Sequence, residues 1–228
     1  ILKYLDKNSK ILIVGAGEND FKLFKESMFK NFICSNFSGK GFDENNFKKI
    51  NLNKIHEPDE SYDYVVAHAC IHHCSRPHNA IIEMYRVAKK GILVIESKDS
   101  FFMQLMIKLK LAEEYELSAI NNPDSFDDQG GVDNTNIPNF VYRWTEHEVK
   151  KLINSYNPKY KYVINYEYEF EYTNIMNKFK NKLIKLVIAI FIPSSIFILK
   201  LIFRKQANLF AFFIDKEKSK KKKHIWID

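Results

Sequence analysis

Cysteine, glycine, proline and tryptophan are all scarce in this sequence: 3 Cys, 7 Gly, 6 Pro and 2 Trp in 228 residues. Three cysteines cannot build a disulfide framework, so a secreted, disulfide-stapled scaffold is excluded and a reducing, cytoplasmic setting is expected. The low glycine and proline counts exclude collagen-like and loop-dominated chains. No stretch matches the roughly 20 uninterrupted apolar residues of a spanning helix. Nothing after Ile1 resembles a cleavable signal peptide, and a further piece is expected ahead of this non-Met residue.

What is present is an ordinary globular composition, 46% hydrophobic and 28% charged, in a length suited to one domain. The net charge of +7 is unevenly placed: six lysines and Glu217 between Lys216 and Lys223 contribute +5, leaving +2 for the rest of the chain. A nearly neutral body lacks the basic face that tracks a phosphate backbone, so no nucleic-acid partner is expected.

Strand and helix patterns alternate. Lys10 to Gly17 (KILIVGAG) is a β-branched run ending in two glycines, as a strand buried on both faces reads. A helix follows from Glu18 to Lys30, then a short strand from Asn31 to Phe37. A further strand, Ser61 to Ala69, leads into a turn rich in His and Cys. A helix from Asn79 to Lys90 is expected to stop at Gly91 as a left-handed cap, before a strand over Ile92 to Glu96. Phe101 to Leu111 reads as a helix, and a long polar loop follows. Thr145 and Glu148 form a capping box for a helix to Ser155. Tyr160 to Tyr172 and Asn208 to Ile214 are the last strands. This order implies a doubly wound α/β sheet with ligands at the carboxyl ends of its strands.

The turn Gly15-Ala16-Gly17 lets backbone approach a nucleotide closely. A dinucleotide fingerprint requires a third glycine where Asp20 stands, which disfavours a nicotinamide oxidoreductase. Several segments then coincide in order and spacing: Ile11 to Gly17 (ILIVGAG), Ser61 to Val66 (SYDYVV), Ile71-His72-His73, and Glu83 to Gly91 (EMYRVAKKG). Together they resemble the class I S-adenosylmethionine (AdoMet) dependent methyltransferases, in particular the small-molecule, ubiquinone-biosynthesis-like group. Ala88 and Lys90 depart from that group's usual Leu and Pro.

The resemblance implies a mostly parallel seven-stranded sheet over residues 1–215, an insertion or lid over about 99–145, and AdoMet as cofactor. Gly15, Ala16 and Gly17 would face its methionine end. Asn36 stands nearest the usual ribose-binding acid, with Asp43 as a distant substitute, and Asn51, beside Leu52, falls at the adenine position. His68 ends the strand at the same site and is read mainly as structural. His73 or His72 would accept a proton from the methyl acceptor. The alternative for that pair is one ring packed under the loop and one solvated. Tyr142, Arg143 and Trp144 could bind an acceptor, or simply anchor the following helix. His68, Cys70, His72, His73, Cys74 and His78 crowd together, but their spacing matches no zinc motif, so no metal is expected.

The apolar stretch Leu183 to Phe203, within a helical insertion over about 178–205, is broken by Pro193-Ser194-Ser195. It could pack between the last strands or in an oligomer interface, or dip into a membrane surface assisted by the lysines of 216–228. The resulting expectation is an AdoMet-dependent methyltransferase acting at oxygen on a small-molecule or lipid-linked acceptor, in the cytoplasm or at the inner membrane face. A non-catalytic relative that binds through the same fold is the alternative.

Overall fold

The structure is a computed structural model that describes residues 2–38, 46–120, 129–171 and 200–224. Asp43, the apolar stretch as far as Leu199, and the middle of the polar loop lie outside the described residues.

Among the described residues the strands and helices follow one another as β1 (Ile11–Val14), α1 (Glu18–Glu26), β2 (Phe32–Asn36), β3 (Phe47–Lys49), β4 (Tyr62–His68), α2 (Pro77–Val87), β5 (Ala88–Ser97), α3 (Phe101–Lys108), β6 (Tyr115–Glu116), β7 (Asn139–Phe140), α4 (Glu146–Tyr156), β8 (Val163–Glu169), β9 (Leu209–Asp215) and α5 (Lys216–Lys220). Seven form one sheet in the order β3-β2-β1-β4-β5-β9-β8. The first five are mutually parallel, and β9 enters antiparallel between β5 and β8. This is the doubly wound sheet that the residue pattern implies, with the mostly parallel, seven-stranded plan that the resemblance adds. β3 is too short and polar to have been read from the sequence, and β6 and β7 form a separate two-stranded ribbon.

Both faces of the central strands are covered. Leu12, Val14, Val65, Ala67, Ile92 and Val94 enter one core, while Ile11, Ile13, Tyr64, Val66 and Leu93 enter the other. Each such side chain contributes about 1.5–3 kcal/mol when fully buried, and this two-sided burial is why the strands read as unbroken apolar runs.

The helix starts follow local chemistry. Pro77 opens α2, where its missing N–H is not needed. Ser100 accepts from the Met103 N–H at α3, and Thr145 from the Glu148 N–H at α4. Only this half of the expected capping box forms with Thr145, because the Glu148 carboxylate instead bonds His78 and Tyr142.

Two other expectations change. α2 ends at Val87, not Lys90, and Gly91 lies inside β5 rather than capping a helix. The reason is steric: a Cβ at Gly91 would stand 2.6 Å from the Ile214 carbonyl and 2.9 Å from the Phe213 ring, so the glycine admits β9. The lysine tail also begins as structure. Lys216 is buried, and its ammonium donates to the Tyr85 carbonyl at 2.9 Å and to Ala88, closing the end of α2. Among the described residues, no helix is long and apolar enough to cross a membrane.

Gly91→Ala is expected to destabilise the fold by about 1–3 kcal/mol through overpacking, read as a lower urea midpoint at unchanged slope. Lys216→Ala should cost about 1–3 kcal/mol by leaving buried carbonyls unsatisfied, measured the same way.

Candidate active site

The carboxyl ends of β1, β2 and β4 converge on the glycine turn. Gly15 has φ +59, and a Cβ there would lie 2.4 Å from Cys70 Cβ, so glycine is required twice over. At Gly17 an added Cβ would meet nothing closer than Asp20 Oδ2 at 3.8 Å, so this glycine leaves open room beside the turn. Ala16 is buried and donates its N–H to the Ser35 carbonyl at 2.8 Å. Asp20, one turn into α1, accepts from the Gly17 N–H at 2.9 Å and lies 3.0 Å from His68 Nδ1. Its carboxylate thus ties the glycine turn to the end of β4, and that hydrogen bond raises the His68 pKa above the ordinary imidazole value despite opposing desolvation.

Asn36 is buried at the end of β2, its amide 3.5 Å from the Ala16 carbonyl and its Oδ1 accepting from Ser38. Asn51 is exposed, with Oδ1 accepting from the Asn53 N–H at 2.8 Å, and it lines an open cleft of about 590 Å³ with Arg76, Asn79 and Arg86. Leu52 is buried in the core beside it. Asn36 therefore sits at the glycine turn, while Asn51 faces a cleft beside α2.

After β4, Ala69 adopts φ +48, an uncommon left-handed conformation for a residue with a Cβ, and turns the chain into a 3-10 segment, Ile71–His73. Glu96, fully buried at the end of β5, holds that segment: it accepts from the Ile71 N–H at 2.7 Å and lies 3.0 Å from His72 Nδ1. The β6/β7 ribbon stands over the same turn. Glu116 Oε2 lies 3.4 Å from Nε2 of both His72 and His73, and the Asn139 amide lies 2.7 Å from His73 Nδ1. Burial alone would pull the His72 pKa down, but hydrogen bonds to Glu116 and Glu96 outweigh it and hold the pKa up at about 9. His73 is the more exposed ring of the pair.

The remaining residues of the His/Cys cluster disperse. Cys70 packs against Gly15, and Cys74 lies in the core with its thiol pushed up to about 12 by burial. His68 faces Asp20 and His78 faces Glu148. Tyr142-Arg143-Trp144 is tied into local contacts. Trp144 is fully buried, its ring edge-on to His78, and so offers no face to a ligand. Arg143 donates to the carbonyls of Val141 and Glu113, and Tyr142 bonds Glu148.

Glu96, Glu116, Asn139 and Asp20 join the site from outside the expected set. An acid closing the apolar run ILVIE was a usable signal for Glu96. Glu116 and Asn139 carry no such signal, since only the ribbon brings them to the histidines.

Residues 24–95 match a family model described as a methyltransferase domain. No curated protein matches the chain. Solved structures with the same fold include S-adenosylmethionine-dependent methyltransferases from Methanosarcina mazei (16% identity, TM-score 0.52, 93% of each chain covered) and from Archaeoglobus fulgidus (13%, 0.54, 94% of this chain and 89% of that one). A third, from Mesorhizobium loti, is 10% identical with a TM-score of 0.54, covering 94% of each chain.

Asp20→Asn should lower the His68 pKa towards the ordinary imidazole value, read by NMR titration of the ring proton. Because the pair raises the folded-state pKa, the stability it gives is complete below the unfolded value and lost as pH rises through the folded one. The variant should therefore lose stability at acidic pH and converge with wild type at alkaline pH.

Proposed function

We propose that the chain is a class I AdoMet-dependent methyltransferase that transfers a methyl group to an oxygen of a small-molecule or lipid-linked acceptor in the cytoplasm, a reading supported by the methyltransferase-domain match over residues 24–95 and by the fold shared with solved methyltransferases. The observation that carries this reading is the Gly15–Gly17 turn, whose second glycine keeps room open at the convergence of β1, β2 and β4. AdoMet, when bound, supplies an electrophilic methyl on a sulfonium.

Gly15 and Ala16 hold the turn against Cys70 and Ser35, so its backbone is fixed before any ligand arrives. Asn36 reaches the same turn through the Ala16 carbonyl. Across the strand ends, His73 and Glu116 orient the acceptor hydroxyl and provide the place where its proton leaves. His72, locked by Glu96, positions them. Methyl transfer between bound partners needs chiefly alignment and this one proton removal.

An amphiphilic acceptor is supported by the exposed apolar side chains of Phe101, Leu105 and Leu109, with Leu201, Ile202 and Phe203 also exposed, and Phe203 edge-on to Phe102. The same residues support contact with a lipid surface. A second reading, binding without catalysis, is favoured by Asn36 and Asn51, which spend their side chains on local bonds and lack the carboxylates that would grip a ribose and an adenine.

Calorimetric titration with AdoMet and S-adenosylhomocysteine is expected to give stoichiometric binding, with NADH silent. Gly17→Val should weaken it at least about tenfold, roughly 1.4 kcal/mol, without changing the melting temperature. Radiolabelled methyl transfer into a panel of hydroxylated acceptors then separates the two readings: binding without turnover favours the second, and absence of adenosyl binding by the folded protein removes both.

A further inference from the structure

The spacing of His72, His73 and Glu116 suits a shared cation better than a shared proton. One oxygen, Glu116 Oε2, lies 3.4 Å from Nε2 of each ring. Both separations are long against the roughly 2.7–3.2 Å of a well-formed N–H···O bond, and the one carboxylate oxygen is shared between the two rings. Donor atoms at about 2.0–2.2 Å from a common first-row cation stand roughly 3–3.5 Å apart at tetrahedral or octahedral angles. The three donor atoms all lie within 4.8 Å of one another.

The surroundings also match a ligand set. His72 Nδ1 faces the buried Glu96 carboxylate at 3.0 Å, an arrangement that fixes the tautomer and directs the Nε2 lone pair outward. His73 Nδ1 faces the amide of Asn139, which is fully buried and whose Oδ1 has no partner among the described residues. Turning that amide over reverses its bond to the ring, so that Oδ1 accepts from Nδ1–H at the cost of the bond to the Gly130 carbonyl, and leaves Nε2 of His73 as a donor atom towards Glu116. Glu96 and Glu116 also bring two carboxylates into a partly buried site, a charge that a divalent cation offsets. Motif spacing misses this set because its third member comes from the ribbon, 44 residues beyond His72.

We propose that His72, His73 and Glu116 bind one divalent first-row transition cation, with an open position that receives the acceptor oxygen. Two imidazoles and one carboxylate suit zinc, manganese or iron(II). The cation takes over the task of a free imidazole base by lowering the pKa of the bound hydroxyl. The hydroxyl proton passes to solvent, and the oxygen lone pair forms the new O–C bond. The S–C pair stays on sulfur, releasing S-adenosylhomocysteine. This role rests on the methyltransferase reading; the binding of the cation does not.

The test is calorimetric titration of the full, EDTA-treated chain with zinc chloride, with melting curves recorded for each variant. Wild type is expected to bind one equivalent. Glu116→Gln and His73→Ala should bind at least about tenfold more weakly, while His78→Gln, outside the cluster, should match wild type. Should His73→Ala melt early, Glu116→Gln on the partly exposed ribbon decides alone. Absence of stoichiometric binding by wild type, or wild-type affinity in Glu116→Gln, overturns the proposal. A parallel AdoMet titration separates the two failures: AdoMet binding without zinc removes the metal site alone, and zinc binding without AdoMet removes the methyltransferase reading alone.

Discussion

Burying both faces of the central strands leaves polar chemistry nowhere to go except the strand ends. β1, β4 and β5 spend their side chains on two opposed cores, and their parallel alignment brings their carboxyl ends to one edge. A polar group at that edge is half desolvated and must find a partner or lose stability. Glu96 is the extreme case: fully buried, it is satisfied only because the turn after β4 offers it the Ile71 N–H and the His72 ring. The geometry of the histidine turn is in this sense the solution to a buried carboxylate.

The same accounting applies at the glycine turn. Asp20 occupies the position that a dinucleotide-binding loop gives to glycine, and its carboxylate bonds the loop N–H and His68. Part of the turn's donor capacity is therefore met by the chain itself. What remains open is the space beside Gly17, which suits a ligand held by shape and backbone approach more than by a pyrophosphate clamp.

The ribbon β6/β7 completes the site from outside the sheet. It is only two residues a side, pairing Tyr115 with Phe140 and Glu116 with Asn139, and the second pair delivers both side chains to the histidines. Such a short ribbon has no periodicity to read, so its contribution is invisible to pattern analysis. The lysine tail shows the converse, since a charge run that reads as a solvated end has its first residue buried against α2, where an ammonium can close a helix terminus.

The sequence by itself determined the central strands of the sheet, because a strand buried on both faces must be apolar throughout and therefore announces itself, and it marked the glycine turn, the histidine pair and the Thr145 cap by local chemistry. It could not decide where α2 stops, because Gly91 answers to β9, 123 residues later, rather than to its own helix. It could not assign roles within His68 to His78, since a strand end, a left-handed residue and a 3-10 turn point neighbouring rings at different partners. Tertiary structure made those decisions, because hydrogen bonds and charge pairing between distant segments depend on which strand ends and loops meet, and no local spacing encodes that meeting.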